Sequence, residues 1–134
     1  MLFESQNFVS SLKKPVSLEE HVFRYCEFAD IPFEGEHVTS AFLSCSFTGC
    51  EWYWGLFSTS VFVDVKFSDC VFRGSAFSGV RFVDCEFKNC QFLKDNLDGE
   101  CLFNEVSWFG CVQVNCAGLE NEFRNRDKER SYIP

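Results

Sequence analysis

The chain has 134 residues, one domain by length, and carries a net charge of −8. No apolar run approaches the ~20 residues of a membrane helix, and the acidic balance disfavours direct nucleic-acid binding. Eighteen Phe supply ample core material; nine Cys stand beside only two His with no Cys-x-x-Cys pair, which disfavours a zinc site.

The start, Met1-Leu-Phe-Glu-Ser-Gln-Asn-Phe, lacks the basic end and apolar centre of a secretory signal, so a cytoplasmic protein is expected. Residues 1–20 hold Phe3, Phe8 and Leu18 in one five-residue phase with Phe23, interrupted by Lys13-Lys14-Pro15. They are expected to form an N-terminal cap or a degenerate turn.

Residues 21–118 form the main body. From Phe42 to Phe92 every fifth residue is Phe, except Trp52. Neither a helix nor a flat strand has a period of five; a fixed period with a fixed residue marks a stacked repeat. The position two before each centre is mostly small: Cys45, Cys50, Cys70, Cys85 and Cys90 share it, as do Cys26 and Cys101. The spacing therefore predicts a slot for a small apolar side chain, filled by inert, reduced thiols. Two inward positions in five suit a square coil with one side per pentapeptide. Twenty residues then close a turn, and turns stack at ~4.8 Å.

The phase slips twice. Val38 to Phe42 is one residue short. Phe92 to Phe103 spans eleven, read as one residue long, with a corner bulge or small loop in Leu93-Lys-Asp-Asn-Leu-Asp-Gly-Glu-Cys101. With that correction Cys50, Cys70, Cys90 and Cys111 share one side, and Phe42, Phe62, Phe82 and Phe103 another. About five turns result. Residues 119–134 lose the period and gain charge. Leu119 and Phe123, at i and i+4, predict a helical C-terminal cap.

The motifs Cys45-Ser-Phe-Thr-Gly, Cys70-Val-Phe-Arg-Gly, Ser75-Ala-Phe-Ser-Gly and Cys85-Glu-Phe-Lys-Asn resemble the pentapeptide repeat family. The resemblance covers about residues 21–118 and implies an all-β fold, a right-handed quadrilateral β-helix. Its preference for Phe and Cys, over the commoner Leu and Ala, is similar to the subset that includes gyrase-protecting proteins. Those relatives are usually longer, often dimeric, and can carry projecting loops; this chain offers only the bulge near 95–100.

The sequence contains no supported catalytic set. Neither His21 nor His37 has a partner placed by the repeat, and no Gly-rich phosphate loop occurs, so no enzyme and no cofactor are expected. Two surfaces stand out instead. Residues 21–118 carry thirteen acids against six bases, a surplus of seven. Asp64, Asp84 and Glu105 fall in one column, readable as a solvated wall or as an imitation of DNA phosphates. The second surface flanks the Phe42 side. Ala41, Leu43, Val61, Val63, Arg81, Val83, Leu102 and Asn104 point outward, six of them apolar, which marks a contact with a cap, a second copy or a foreign partner. Tyr53 and Trp54 are placed nearby as exposed aromatic anchors.

These features point to a non-catalytic bacterial binding module. The leading reading is an immunity or antitoxin-type inhibitor of a toxin, of which a nuclease is one kind. The alternatives are a DNA-mimicking modulator of DNA gyrase or another topoisomerase, and a structural or effector interaction scaffold.

Overall fold

The computed structural model describes residues 1–9, 17–120 and 122–123. Short parallel strands stack into four walls of a single coil. The first wall holds Leu2–Glu4, Val22–Arg24, Ala41–Leu43, Val61–Val63, Arg81–Val83 and Ser107–Phe109. The second holds Asn7–Val9, Glu27–Ala29, Ser46–Thr48, Lys66–Ser68, Glu86–Lys88 and Val112–Val114. Pro32–Glu34, Glu51–Tyr53, Val71–Arg73 and Gln91–Leu93 make the third; His37–Val38, Leu56–Ser58, Ala76–Ser78 and Leu102–Asn104 make the fourth. Four turns are complete, running from Phe23 to Phe103, with half turns at Phe3–Phe8 and at Trp108–Gln113. Over residues 21–118 the expected five turns are four complete turns and a half.

The central residue of each strand points inward and is buried along nearly the whole coil. Rings one turn apart stack in register: Phe42 on Phe62 at 4.7 Å and 4°, Phe67 on Phe87 at 4.7 Å and 2°. Rings on adjoining walls meet edge-on, as Phe42 and Phe47 do at 5.4 Å and 65°. Both are favoured aromatic geometries, so one residue type satisfies both directions of the lattice. Trp52 is an exception in chemistry. Its ring stacks on Phe33 at 4.0 Å, but its buried indole N–H has no hydrogen-bond partner among the described residues.

The chain turns nearly every corner two residues after a centre, in the left-handed region; the exceptions follow Val38 and Phe92, where the phase slips. Ser44, Asp64, Asp69, Asp84, Asn89 and Asn115 all have φ between 52° and 55°. Asp, Asn and Ser tolerate this conformation because their short polar side chains bond locally. Tyr25 (φ 56°), Trp54 (φ 59°), Thr59 (φ 52°) and the glutamates Glu20 and Glu105 (φ 54°) are the unexpected occupants.

The small slot is a donor slot as well as an apolar one. The thiols of Cys50, Cys70, Cys90 and Cys116 donate to the carbonyls of Phe28, Phe47, Phe67 and Phe87, at 3.2–3.5 Å. Ser40, Ser60 and Ser75 donate from equivalent places to Leu18, Val38 and Trp52. All nine cysteines are free thiols. Burial pushes Cys45 up to about 11 and raises Cys101 and Cys116. Cys70 is raised by hydrogen bonding to Cys50 and Cys90 and by burial.

The second slip corrects the expected columns. Phe103 pairs with Phe77 in the fourth wall, and Trp108 takes the place beside Phe82. Six residues, 94–99, are therefore inserted between two ordinary sides; Leu97 is not a centre but is 79% exposed. Everything after the insertion moves back by one side. Cys116, not Cys111, continues the Cys50–Cys70–Cys90 column, and Cys111 lies above Cys85, donating to Phe82.

At the N-terminus, Leu2–Glu4 and Asn7–Val9 extend two walls in register with Val22–Arg24 and Glu27–Ala29. Residues 10–16, including Lys13-Lys14-Pro15, lie outside the described residues. At the other end the amide of Phe123 donates to the Leu119 carbonyl at 3.0 Å, a helical bond, and Phe123 packs 5.2 Å from Trp108. Most of the expected 119–134 cap lies outside the described residues.

Candidate protein-binding surfaces

The first wall presents its apolar face outward. Ala41, Leu43, Val61, Val63 and Val83 are half-buried against their strand neighbours, and Arg81 is exposed. Leu102 and Asn104 do not belong here; the six-residue insertion places them on the fourth wall. Ser107 and Phe109 take their places, and Phe109 is 58% exposed. Sequence reasoning missed Phe109, Val22 and Leu2, which extend the apolar face to both ends. The paired charges Glu4 and Arg24 interrupt it near the N-terminus. No described residue covers this face.

The acidic column is shorter than expected. Asp64 and Asp84 occupy successive corners, joined by the amide of Asp64 donating to the Val83 carbonyl and that of Asp84 to Phe109. Ser44 lies below and donates to Asp64 Oδ2 at 3.1 Å; Gly110 lies above. Glu105 is at a different corner, after the fourth wall, because the insertion shifts it by one side.

Tyr53 and Trp54 are not beside the apolar wall. They end the third wall, across the coil from the first. Tyr53 is half-buried and Trp54 is 37% exposed. Both are engaged by the inserted loop. Trp54 Nε1 donates to Asp95 Oδ2 at 2.8 Å, and Tyr53 Oη donates to Asn96 Oδ1 at 2.6 Å. Asp95 also accepts the amides of Leu97 and Gly99 at 2.8 and 2.7 Å, and its own amide donates to the Gly99 carbonyl. The Gly99 amide and the Trp54 indole hold the Asp95 carboxyl below its ordinary range. Asp95 lies over the Gly74 corner, where an added Cβ would stand 2.6 Å from Asp95 Oδ2. Glycine at 74 thus leaves room for the loop to dock. Lys94, paired with Asp98 at 3.2 Å, closes its base. The result is a braced projection with Leu97 at its tip.

The His21 ring packs edge-on at 5.2 Å from Phe3, and His37 faces Glu19 at 3.6 Å. Among the described residues no group of three or more His, Cys, Asp or Glu is placed to hold a metal, and no helix is long and apolar enough to cross a membrane.

No family model and no curated protein sequence matches the chain. Among solved structures it is similar to Rfr23, a pentapeptide repeat protein of the cyanobacterium Cyanothece 51142. The identity is 9% over 87% of this chain and 86% of that one, with a TM-score of 0.46. It is also similar to a trypsin-treated form of QnrB1, a plasmid-mediated fluoroquinolone resistance protein. There the identity is 14% over 87% of this chain and 69% of that one, with a TM-score of 0.42. Scores this low leave the architecture resting on the coil's own geometry. A five-residue period, four walls of parallel strands and a left-handed corner after nearly every centre make the chain a pentapeptide-repeat β-helix.

Proposed function

We propose that the protein is a non-catalytic binding module that acts in the cytoplasm on a DNA topoisomerase of the gyrase type. The observation that carries this reading is the loop 94–99. It breaks an otherwise regular coil, holds itself through Asp95, docks on Tyr53 and Trp54, and presents Leu97 to solvent. A loop kept in a repeat that closes without it has a use outside the core. The Phe- and Cys-rich repeat resembles a subset whose members can carry projecting loops, and the insertion supplies one here. Neutralising a toxin draws on small size and acidity but on no feature of the loop. A purely structural scaffold leaves both the loop and the apolar wall without a use. Phosphate mimicry loses its third member, since Glu105 stands apart from Asp64 and Asp84.

The apolar wall is proposed as a second contact, for the same partner or for a second copy of the chain. Binding to immobilised DNA gyrase tests the reading. Burying an exposed Leu contributes about 1.5–3 kcal/mol, so Leu97→Asp should weaken binding at least tenfold. Val63→Glu with Val83→Glu, followed by light scattering, reads whether the wall serves a dimer. A protein that neither binds gyrase nor changes its supercoiling activity with a fluoroquinolone present overturns the proposal.

A further inference from the structure

Beneath the inserted loop, the third wall carries an open groove of about 360 Å³. Its floor is Pro32 and Phe33, and its sides are Glu34, Glu51, Tyr53 and Trp54, with Asn96 closing it from the loop. Strand register sets the pattern: Glu34 stands beside Tyr53 and Pro32 beside Glu51. The Tyr53 and Trp54 rings meet nearly at right angles, at 4.3 Å and 80°, so they offer two π faces in a corner. The loop fixes both rings from behind, through the Tyr53 Oη to Asn96 and Trp54 Nε1 to Asp95 bonds. Neither Glu34 nor Glu51 takes part in an ion pair among the described residues. Arg73 lies on the next strand beside Tyr53, on the side away from Glu34, and lines an adjoining pocket with Glu51 and Tyr53, outside the groove.

We propose that this groove takes an arginine side chain presented by the protein partner. A guanidinium is planar and weakly hydrated; it stacks on aromatic faces while its N–H groups reach carboxylates. The groove supplies those two recognition elements side by side, with ring positions set before binding. It contains no base of its own. Charge complementarity selects the occupant. A second copy of this chain brings a net −8 to a site lined by two carboxylates, whereas a basic segment of another protein is attracted to it. The inserted loop thereby gains a second role, as the brace that orients Tyr53 and Trp54.

The proposal rests on the reading as a protein-binding module but not on gyrase as the partner, and its test contains no gyrase. The probe is a blocked Gly-Gly-Arg-Gly-Gly peptide, titrated against uniformly ¹⁵N-labelled protein. The Trp54 indole and the Tyr53 and Asn96 amides should shift with millimolar affinity. The citrulline peptide, isosteric but uncharged, should bind at least tenfold more weakly. Glu34→Gln with Glu51→Gln should weaken the arginine peptide at least fivefold. Glu27→Gln with Glu86→Gln on the neighbouring wall, the same change in net charge, should leave it within twofold. All four side chains lie outside the core, and an unchanged melting temperature verifies the fold. The proposal is overturned if the citrulline peptide binds equally well, if the control pair weakens binding as much, or if the shifts spread over the acidic corners without centring on Trp54.

Discussion

Removing residues 94–99 and changing Glu100 to Gly should leave the coil folded, and the reason lies in the register. After the cut Phe92 and Phe103 are five apart, so the third wall passes to the fourth through an ordinary corner. The position two after Phe92 must then enter the left-handed region, which costs a non-glycine residue about 1–2 kcal/mol and explains the added Gly. Bonds inside the loop disappear with it and leave no orphan. Three hydrogen bonds to the coil are lost: Trp54 to Asp95, Tyr53 to Asn96, and the Asn96 amide to Tyr53 Oη. All lie near solvent, so each loss is on the order of 0.5–1.5 kcal/mol, about 1.5–4.5 kcal/mol together. Suppose instead that Leu97 were a centre. The same cut would then withdraw one whole side and rotate everything after it by a quarter turn. Phe103 and Trp108 would leave their stacks on Phe77 and Phe82, at about 3–5 kcal/mol each. Urea denaturation followed by near-ultraviolet circular dichroism, with the Trp108 indole signal by NMR, separates the two. Loss of the cooperative transition, or a Trp108 signal moved to its solvent-exposed position, would refute the assignment of six inserted residues.

Phe67→Ala should cost about 3–5 kcal/mol by the same denaturation assay, since Phe67 is buried between Phe47 and Phe87 at 5.1 and 4.7 Å; a change below about 1 kcal/mol would mean that the rings are not packed as described. The donor slot makes a different prediction: Cys70→Ser should be tolerated better than Cys70→Ala, because only Ser keeps the bond to the Phe47 carbonyl. Alkylation of the native protein near neutral pH should reach the half-buried Cys101 and Cys116 before the seven buried thiols, with all nine modified after unfolding. Early labelling of Cys70 would contradict its raised, buried thiol.

The walls were legible in the sequence because each centre repeats both in chemistry and in spacing. Phe at every fifth position leaves one inward phase, and a slip of one residue would expose a ring. The insertion was not legible for a physical reason as well. Leu97 is apolar and falls on the five-residue grid counted from Phe92, so periodicity alone counts it as a centre. The neighbours carry the signal that was available. Lys94, Asp95, Asn96, Asp98 and Gly99 crowd around Leu97 with no small residue two before it, since Asp95 stands there. A carboxylate is rare in a slot that elsewhere holds mostly Cys, Ser or Val; Glu36, two before the buried centre Val38, shows that it does not by itself exclude an inward side, so the signal lies in the whole polar cluster. That one misreading moved Leu102, Glu105 and Cys111 together, while residues before Phe92 kept their places. Tyr53 and Trp54 failed differently. Their outward direction follows from the period, but the loop that engages them arrives from more than forty residues downstream.

Acidity and corner geometry are linked in this chain, and the link bears on what the charge can mean. A left-handed corner selects for Gly, Asn, Asp and Ser, and it does so whether or not a partner exists. Asp therefore collects at corners for backbone reasons. The stack limits repulsion: Asp30 lies against Gly49 and Asp84 against Gly110, where the missing Cβ makes room for the carboxylate. Asp64 and Asp84 are neighbours, and Ser44 donates to Asp64. A phosphate track needs like charges in succession, and this pattern dilutes them with glycine and hydroxyl. The corner at Trp54 runs against the local preference. An indole there has no backbone advantage, and an aromatic in the left-handed region carries a conformational cost. What holds it is the bond to Asp95 and the packing on Tyr53. That cost and that long-range support are why we propose the Tyr53–Trp54 corner, with the loop above it and Glu34 and Glu51 beside it, as the part of the coil that meets a partner.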